Sequence, residues 1–155
     1  MFKNKFLSFI LFFVITFSAS FIGGFVSISL KEPWYSQLIK SNYNPPDWIF
    51  APVWTTLYLM MTLAIWFYWH TTNRDMNTVY IYFIHIVFNT TWSIVFFGLH
   101  QIFFALVILI ILILLIITLI IRFKRVNFVS YYLMIPYLLW CCYALFLNFN
   151  LFILN

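Results

Sequence analysis

The chain has 155 residues, of which 66% are hydrophobic and only 7% are charged, and its mean hydropathy is +1.04. Soluble domains carry about 25% charged residues, so this composition excludes a soluble globular protein and indicates an integral membrane protein of one domain. The net charge of +5 does not indicate nucleic-acid binding, because most basic residues flank apolar runs and leave no solvated basic patch.

Five apolar runs are long enough to cross a bilayer as helices, for which about 20 residues are needed. They predict an all-α membrane protein, a five-transmembrane-helix bundle that forms a single domain over residues 1–155. The link between the third and fourth runs is so short that these two helices must be antiparallel neighbours. The predicted spans are 6–30, 51–70, 79–98, 102–121 and 129–151.

The first run permits two interpretations. Lys3 and Lys5 precede it, and Ser18-Ala19-Ser20 resembles the small-residue cleavage site of a signal peptide. The apolar character continues well past that site, whereas the apolar core of a signal peptide usually has about 7–15 residues. We therefore favour a retained first helix, and cleavage stays the open alternative.

A long polar loop over residues 31–50 separates the first two spans. A connection of this length is usually functional or disordered, and its aromatic residues argue against disorder. Its two adjacent prolines favour extended backbone, and Pro52 suits the first turn of the helix that follows. We therefore predict a folded lid. Its characteristic residues are Trp34, Tyr43, Pro45, Pro46 and Trp48.

The distribution of basic residues predicts the orientation in the membrane. One side of the five spans carries six basic residues and the other side carries Lys31 and Lys40. Since cytoplasmic loops are enriched in basic residues, the N-terminus should be cytoplasmic, with the lid and the C-terminus outside. The six residues are Lys3, Lys5, Arg74, Arg122, Lys124 and Arg125.

Conventional catalytic and metal sites are not predicted. The acidic residues Glu32, Asp47 and Asp75 all lie outside the apolar runs, so no carboxylate pair is available inside the membrane. Neither a metal-ligand spacing nor a Ser-His-Asp arrangement is present. These observations exclude ordinary hydrolases, kinases and dehydrogenases, and we expect no metal.

Three spans each carry an aromatic face with polar residues at helical spacing. Such faces either pack helices together or line a cavity. Trp140 followed one turn later by small Ala144 would form a slot for a planar ligand. His85 is either a hydrogen-bonded interior residue, which we favour, or a haem ligand. The faces are Trp54, Tyr58, Met61 and Ile65; His85, Asn89, Trp92 and Phe96; and Pro136, Trp140, Ala144 and Asn148.

The same segments resemble the TspO/MBR family of tryptophan-rich sensory or translocator proteins. Pro46-x-Trp48-x-x-x-Pro52-Val53-Trp54-x-x-Leu57-Tyr58 is similar to the entry of that family's second helix. Phe88-Asn89-x-x-Trp92-x-x-x-Phe96-Phe97-Gly98 and Pro136-Tyr137-Leu138-x-Trp140-x-x-x-Ala144-x-x-Leu147-Asn148 resemble its third-helix and fifth-helix motifs. The resemblance covers the whole chain in order.

The resemblance implies a bacterial cell-membrane protein, often a homodimer, with a pocket under the first loop that binds porphyrins such as protoporphyrin IX. It implies no obligatory cofactor. Some bacterial members promote light-dependent porphyrin breakdown with two tryptophans, which match Trp54 and Trp140, so these two are candidate catalytic residues. Phe149 stands where the family's sterol pattern has a tyrosine, which argues against sterol binding.

We therefore expect a membrane protein that binds a planar tetrapyrrole between its helices and acts in tetrapyrrole or stress sensing. The expected ligand-binding residues are Trp54, Tyr58, His85, Asn89, Trp92, Phe96, Trp140, Ala144 and Asn148. One alternative is a transporter or exporter of porphyrin-like amphiphiles. Another is a regulatory protein that acts through contact with a partner.

Overall fold

Helices make up most of the computed structural model, which describes residues 4–155, and short turns join all the long helices except the first two. Lys3, used in the orientation prediction, lies outside the described residues. Within that range there is no strand, and five helices are long and apolar enough to cross a membrane. The predicted fold class is therefore confirmed. The helices are α1 (Lys5–Leu30), α2 (Trp34–Gln37), α3 (Phe50–Trp69), α4 (Met76–Ser93), α5 (Ile102–Lys124) and α6 (Phe128–Leu154).

Local sequence determines where several helices begin. Asn4, Asp75 and Asn127 stand directly before α1, α4 and α6, and the side chain of each accepts a hydrogen bond from a backbone N–H of the first turn. These bonds satisfy donors that have no partner inside the helix. Pro52 lies in the first turn of α3, where its missing N–H removes no helical bond. At its end, α4 continues into a wider π-helical turn, Ile94–Gly98.

The five long helices form a closed ring in which each packs against two neighbours. The order around the ring is α1, α3, α6, α5 and α4, and α4 and α5 are neighbours as the short link between them predicts. Residues from two predicted aromatic faces are buried in the ring: Tyr58, Met61, His85, Asn89 and Phe96 are each at most 6% exposed. These faces therefore point towards the interior of the bundle.

Large apolar side chains cover the outside of the ring. Each long helix contributes some of them: Phe21, Leu59, Val87, Leu114 and Leu139 are all more than 40% exposed. An exposed apolar surface of this extent marks contact with a membrane or a partner. Together with the helix lengths, it is what a bundle immersed in lipid requires.

The lid, residues 31–49, is a folded cover that is fastened to α6. The Tyr143 hydroxyl donates a hydrogen bond of 2.7 Å to the carbonyl oxygen of Tyr43. The side-chain amide of Asn155 exchanges two hydrogen bonds with the backbone of Ile39, at 2.9 Å and 3.1 Å. Since these contacts join residues one hundred or more positions apart, the folded lid expected from the sequence closes one end of the bundle.

Candidate functional site

A cavity of about 360 Å³ lies under the lid, inside the lid-side half of the ring. Its walls come from α1, α3, the α4 segment with its π turn, and α6, and the lid supplies the remaining residues. This volume is at the lower end of the range of about 300–1,000 Å³ that is usual for small-molecule sites. The bundle therefore contains space for a small organic ligand.

Two indoles form the main aromatic surface of the cavity. The rings of Trp54 on α3 and Trp92 on α4 have centroids 6.5 Å apart and planes inclined by 30°. Trp92 also stacks on Phe96 at 5.5 Å and 16°, and its indole N–H donates a hydrogen bond of 3.3 Å to the side-chain oxygen of Asn148. These contacts hold the Trp92 ring as a fixed flat surface, which suits a planar apolar ligand.

The floor of the cavity is polar and is formed by Tyr58 and Asn89. The Tyr58 hydroxyl donates to Asn89 Oδ1 at 2.6 Å, and Asn89 Nδ2 donates to the hydroxyl of Tyr137 at 3.0 Å. All three side chains are buried. An amide nitrogen carries two N–H groups, so one donor of Asn89 remains available to a ligand above the floor.

The lid brings charge to the rim of the cavity. Lys31 Nζ and Asp47 Oδ2 form a salt bridge of 2.7 Å, and both residues line the cavity. Beside them, Asn44 donates a hydrogen bond of 3.3 Å to the hydroxyl of buried Tyr35. Burial raises the pKa of that hydroxyl, while the Asn44 hydrogen bond opposes the rise. The site therefore joins an aromatic interior to a charged edge, an arrangement that fits an amphiphile with an anionic group.

A wall of small residues on α1 was not anticipated from the sequence. Ser20, Gly23, Gly24 and Ser27 line the cavity. A Cβ atom added at Gly23 would lie only 3.0 Å from the Ser93 hydroxyl oxygen on α4, so this glycine permits a close approach of the two helices. The spacing of small residues every three or four positions along α1 was the pattern that could have identified this wall.

Comparison with known proteins identifies the family. The model of the TspO/MBR family matches residues 10–154. The chain belongs to the TspO/MBR family. It is 33% identical over 130 residues to the tryptophan-rich protein TspO of Chlorobaculum tepidum, covering 79% of each chain. It is 30% identical to the protein of the same name from Archaeoglobus fulgidus, over 87% of this chain and 88% of that one. It is also similar to the human translocator protein, at 29% identity over 75% and 71% of the two chains.

Family membership and the five apolar helices together make this chain a multi-pass integral membrane protein. Most of the residues expected to bind a ligand line the cavity of this TspO/MBR bundle. Their contact with a ligand stays a prediction. The cavity-lining residues among them are Trp54, Tyr58, Asn89, Trp92, Phe96, Ala144 and Asn148.

His85 lies outside the cavity lining and is fully buried, one helical turn before Asn89. Its Nδ1 is hydrogen-bonded to the backbone carbonyl of Tyr82. Its ring packs against Tyr82 and Tyr137, with centroid distances of 4.7 Å and 5.8 Å. Its Nε2 is buried and has no hydrogen-bond partner among the residues that the structure describes, so the interior role that we favoured over haem ligation stays a prediction.

Trp140 also lies outside the cavity lining, behind one of its walls. Its ring contacts Phe50 edge-on at 6.0 Å, and Phe50 lines the cavity. Positions four apart on a helix are rotated by about 40° relative to each other. Trp140 is therefore turned by about 80° from Asn148, and the predicted face winds out of the cavity before it reaches the tryptophan.

The five lid residues singled out from the sequence cover the site without lining it. Trp34 stacks on His100 at 4.5 Å and packs edge-on against Phe96 at 5.5 Å. Tyr43 and Trp48 are 67% and 73% exposed, while Pro45 and Pro46 lie in the extended segment before the helical turn Asp47–Ile49. The lid residues that line the cavity are Lys31, Tyr35, Asn44 and Asp47.

Proposed function

We propose that this TspO/MBR protein binds a porphyrin-type tetrapyrrole in the cavity under the lid. The observation that carries the proposal is the pair Trp54 and Trp92, whose rings lie 6.5 Å apart beside a charged rim. A porphyrin has a flat apolar macrocycle and anionic propionates at one edge. The indoles would stack on the macrocycle, and Lys31 would exchange its bond with Asp47 for a propionate.

The cavity has a volume of about 360 Å³. Only part of a tetrapyrrole macrocycle would therefore lie inside it. The polar floor supports an orienting role, because Asn89 lines the cavity and its second N–H would donate to an acceptor atom on the ligand. A few fixed polar groups in an apolar pocket are the usual basis of ligand orientation.

Titration of the purified protein with protoporphyrin IX in the dark tests the proposal. Trp54→Phe and Trp92→Phe should each weaken binding by about tenfold, equivalent to about 1.4 kcal/mol of lost contact. Trp48→Phe is the matched control, because Trp48 is 73% exposed and does not line the cavity. Unchanged affinity in both cavity variants would refute the proposed site.

The charged rim requires a separate experiment. Lys31→Met should weaken binding of protoporphyrin IX by about tenfold, since a charge-assisted hydrogen bond is lost. It should leave binding of the dimethyl ester unchanged, because that ligand has no carboxylate. Equal losses for both ligands would mean that the substitution disturbed the lid and not a specific contact.

Illumination of the complex tests the expected porphyrin breakdown. Trp54→Phe should slow photobleaching because Trp54 lines the cavity. Trp140→Phe tests the second candidate catalytic residue, which lies outside the cavity lining and contacts the lining residue Phe50. If neither substitution changes the bleaching rate at saturating ligand, the tryptophans have no part in the photochemistry.

Transport is the second candidate function. Some residues that line the cavity are exposed on the outside of the bundle, as a passage for a ligand would require. Several relatives carry the name translocator protein. Sealed vesicles loaded with protoporphyrin IX distinguish the two functions. A transporter would move the porphyrin across the membrane in proportion to the protein present, whereas a binding protein would only retain it.

We also propose that the N-terminus is cytoplasmic and that the protein forms a homodimer in the bacterial cell membrane. Lys5, Arg74, Arg122, Lys124 and Arg125 stand near helix ends opposite the lid, which supports the orientation. Single cysteines are introduced at position 48 or at position 125 of a protein without its native cysteines. A thiol reagent added outside the cell should then modify the cysteine at position 48 and not the one at position 125. Light scattering of the detergent complex tests the dimer.

A further inference from the structure

The exposed part of the cavity wall is confined to three elements. Of the lining residues that the structure describes, eighteen are buried or half-buried and five are exposed. Two of the five lie on α1, two on α3 and one in the lid. They are Gly24, Ile28, Asp47, Ala51 and Thr55. The lining residues on α4 and α6 are all at least half-buried, so the side of the cavity that faces outwards lies between α1 and α3.

In the part of the chain that the structure describes, aromatic ring contacts join α1 to α3 only at the cavity floor and on the side of the floor away from the lid. Phe9 meets Trp66, and Phe12 meets Trp69, with centroid distances of 5.8 Å and 5.6 Å. The contact nearest the lid joins Phe17 to the floor residue Tyr58 at 6.1 Å. Above this contact the facing residues of the two helices line the cavity.

The residues at the outward-facing side of the cavity are small, or have a polar group that is hydrogen-bonded within its own helix. We name this side the α1/α3 opening and define it by Ser20, Gly24, Ala51 and Thr55. A Cβ atom added at Gly24 would have no other atom within 4 Å. The Thr55 hydroxyl donates to the carbonyl oxygen of Ala51 at 2.8 Å. That bond satisfies the hydroxyl inside its own helix, so it can face lipid without an unpaired donor.

The lid, in contrast, is fastened along its length. At its start, Lys31 is bonded to Asp47 at 2.7 Å. In its middle, the Asn155 amide holds Ile39 through two hydrogen bonds. Further along, Tyr143 is bonded to the backbone of Tyr43. Entry from water would require these contacts to break, whereas entry through the α1/α3 opening would leave the bonds of Asn155 and Tyr143 to the lid intact.

We propose that the ligand enters and leaves this cavity sideways from the bilayer, through the α1/α3 opening, while the lid stays closed. The ligands of this site would then be flat amphiphiles that already partition into lipid, with an anionic edge held near the headgroups beside Lys31. This inference rests on the proposed binding of a porphyrin and specifies how that ligand reaches the site.

Stopped-flow mixing of proteoliposomes with porphyrin-loaded liposomes tests the route, with tryptophan quenching by protoporphyrin IX as the readout. Gly24→Phe fills the opening from α1, and Thr55→Phe fills it from α3. Each should slow both association and release by about tenfold and leave the dissociation constant within about threefold. An obstacle in a passage raises the barrier equally in both directions.

Matched variants separate the opening from general effects. Ile22→Phe enlarges an outward-facing residue of α1 that does not line the cavity, and it should leave both rates unchanged. The Asn155→Ala, Tyr143→Phe double variant releases two fastenings of the lid and should also leave association unchanged.

The outcomes are distinguishable. Unchanged rates in both Gly24→Phe and Thr55→Phe would overturn the sideways route, as would a loss of affinity caused by faster release alone. Acceleration of association in the lid double variant would show entry from the water side and would also overturn it. Absence of quenching in the parent protein would instead refute porphyrin binding itself.

Discussion

Replacement of Asn89 by leucine should destabilise the bundle strongly, because this amide joins three helices. It accepts from Tyr58 on α3 and donates to Tyr137 on α6, with both hydroxyls buried. Hydrogen bonds between membrane helices contribute about 0.6 kcal/mol each on average. A buried donor left without a partner costs a further 1–3 kcal/mol, roughly. We therefore expect Asn89→Leu to lower the free energy of unfolding by about 2–4 kcal/mol.

A triple variant distinguishes the loss of partners from the loss of packing. Tyr58→Phe and Tyr137→Phe, added to Asn89→Leu, remove the stranded hydroxyls as well. Since replacing both partners of a buried hydrogen bond by apolar groups can be nearly neutral, the triple variant should recover at least about 1 kcal/mol. Reversible unfolding in mixed detergent micelles, followed by circular dichroism, gives both values. A triple variant less stable than Asn89→Leu alone would refute the reasoning.

Two further predictions concern helix packing and pH. Gly23→Ala should be less stable than Gly24→Ala by about 1–3 kcal/mol, because the new Cβ would meet Ser93 at 3.0 Å whereas Gly24 has open space; equal thermal stability of the two would contradict this. Burial holds the pKa of His70 below its ordinary 6.5, aided by Lys5 and Arg74. Folding therefore favours the neutral form of His70. The contribution of His70 to the free energy of unfolding should be complete above pH 6.5 and decrease as the pH falls below that value. Unfolding of His70→Gln, measured against pH, should lack this decrease.

The bundle was predictable because its determinants are local. Five apolar runs bounded by polar links require five helices in a bilayer, and the capping residues Asn4, Asp75 and Asn127 mark three of the helix starts. The order of the helices around the ring was not predictable beyond the α4–α5 pair. It depends on contacts between distant residues, such as the bond of 2.7 Å from the Ser130 hydroxyl on α6 to the Ala64 carbonyl on α3.

The site was predictable where a polar or aromatic residue recurs at helical spacing on a single helix. Asn89, Trp92 and Phe96 follow that rule, and all three line the cavity. Trp140 shows where this rule fails. Residues spaced by four rotate gradually around α6, so Trp140 lies against Phe50 and not in the cavity lining. The lining glycine Gly24 shows another limit: its contribution is the absence of a side chain, which an argument based on functional groups does not detect.

The two halves of α1 explain how one bundle can be both stable and open. In the half away from the lid, Phe12 is buried and the Thr16 hydroxyl is bonded to the Tyr82 hydroxyl at 2.6 Å, so α1 is held to α3 and α4 there. In the lid-side half, cavity-lining Ser20 and Gly24 supply little surface for packing against α3. Because the first half already anchors the helix, the second half can leave a gap without detaching α1 from the ring. The polar floor lies where the two halves meet, so a ligand entering through the gap would meet Tyr58 and Asn89 at the point where close packing begins.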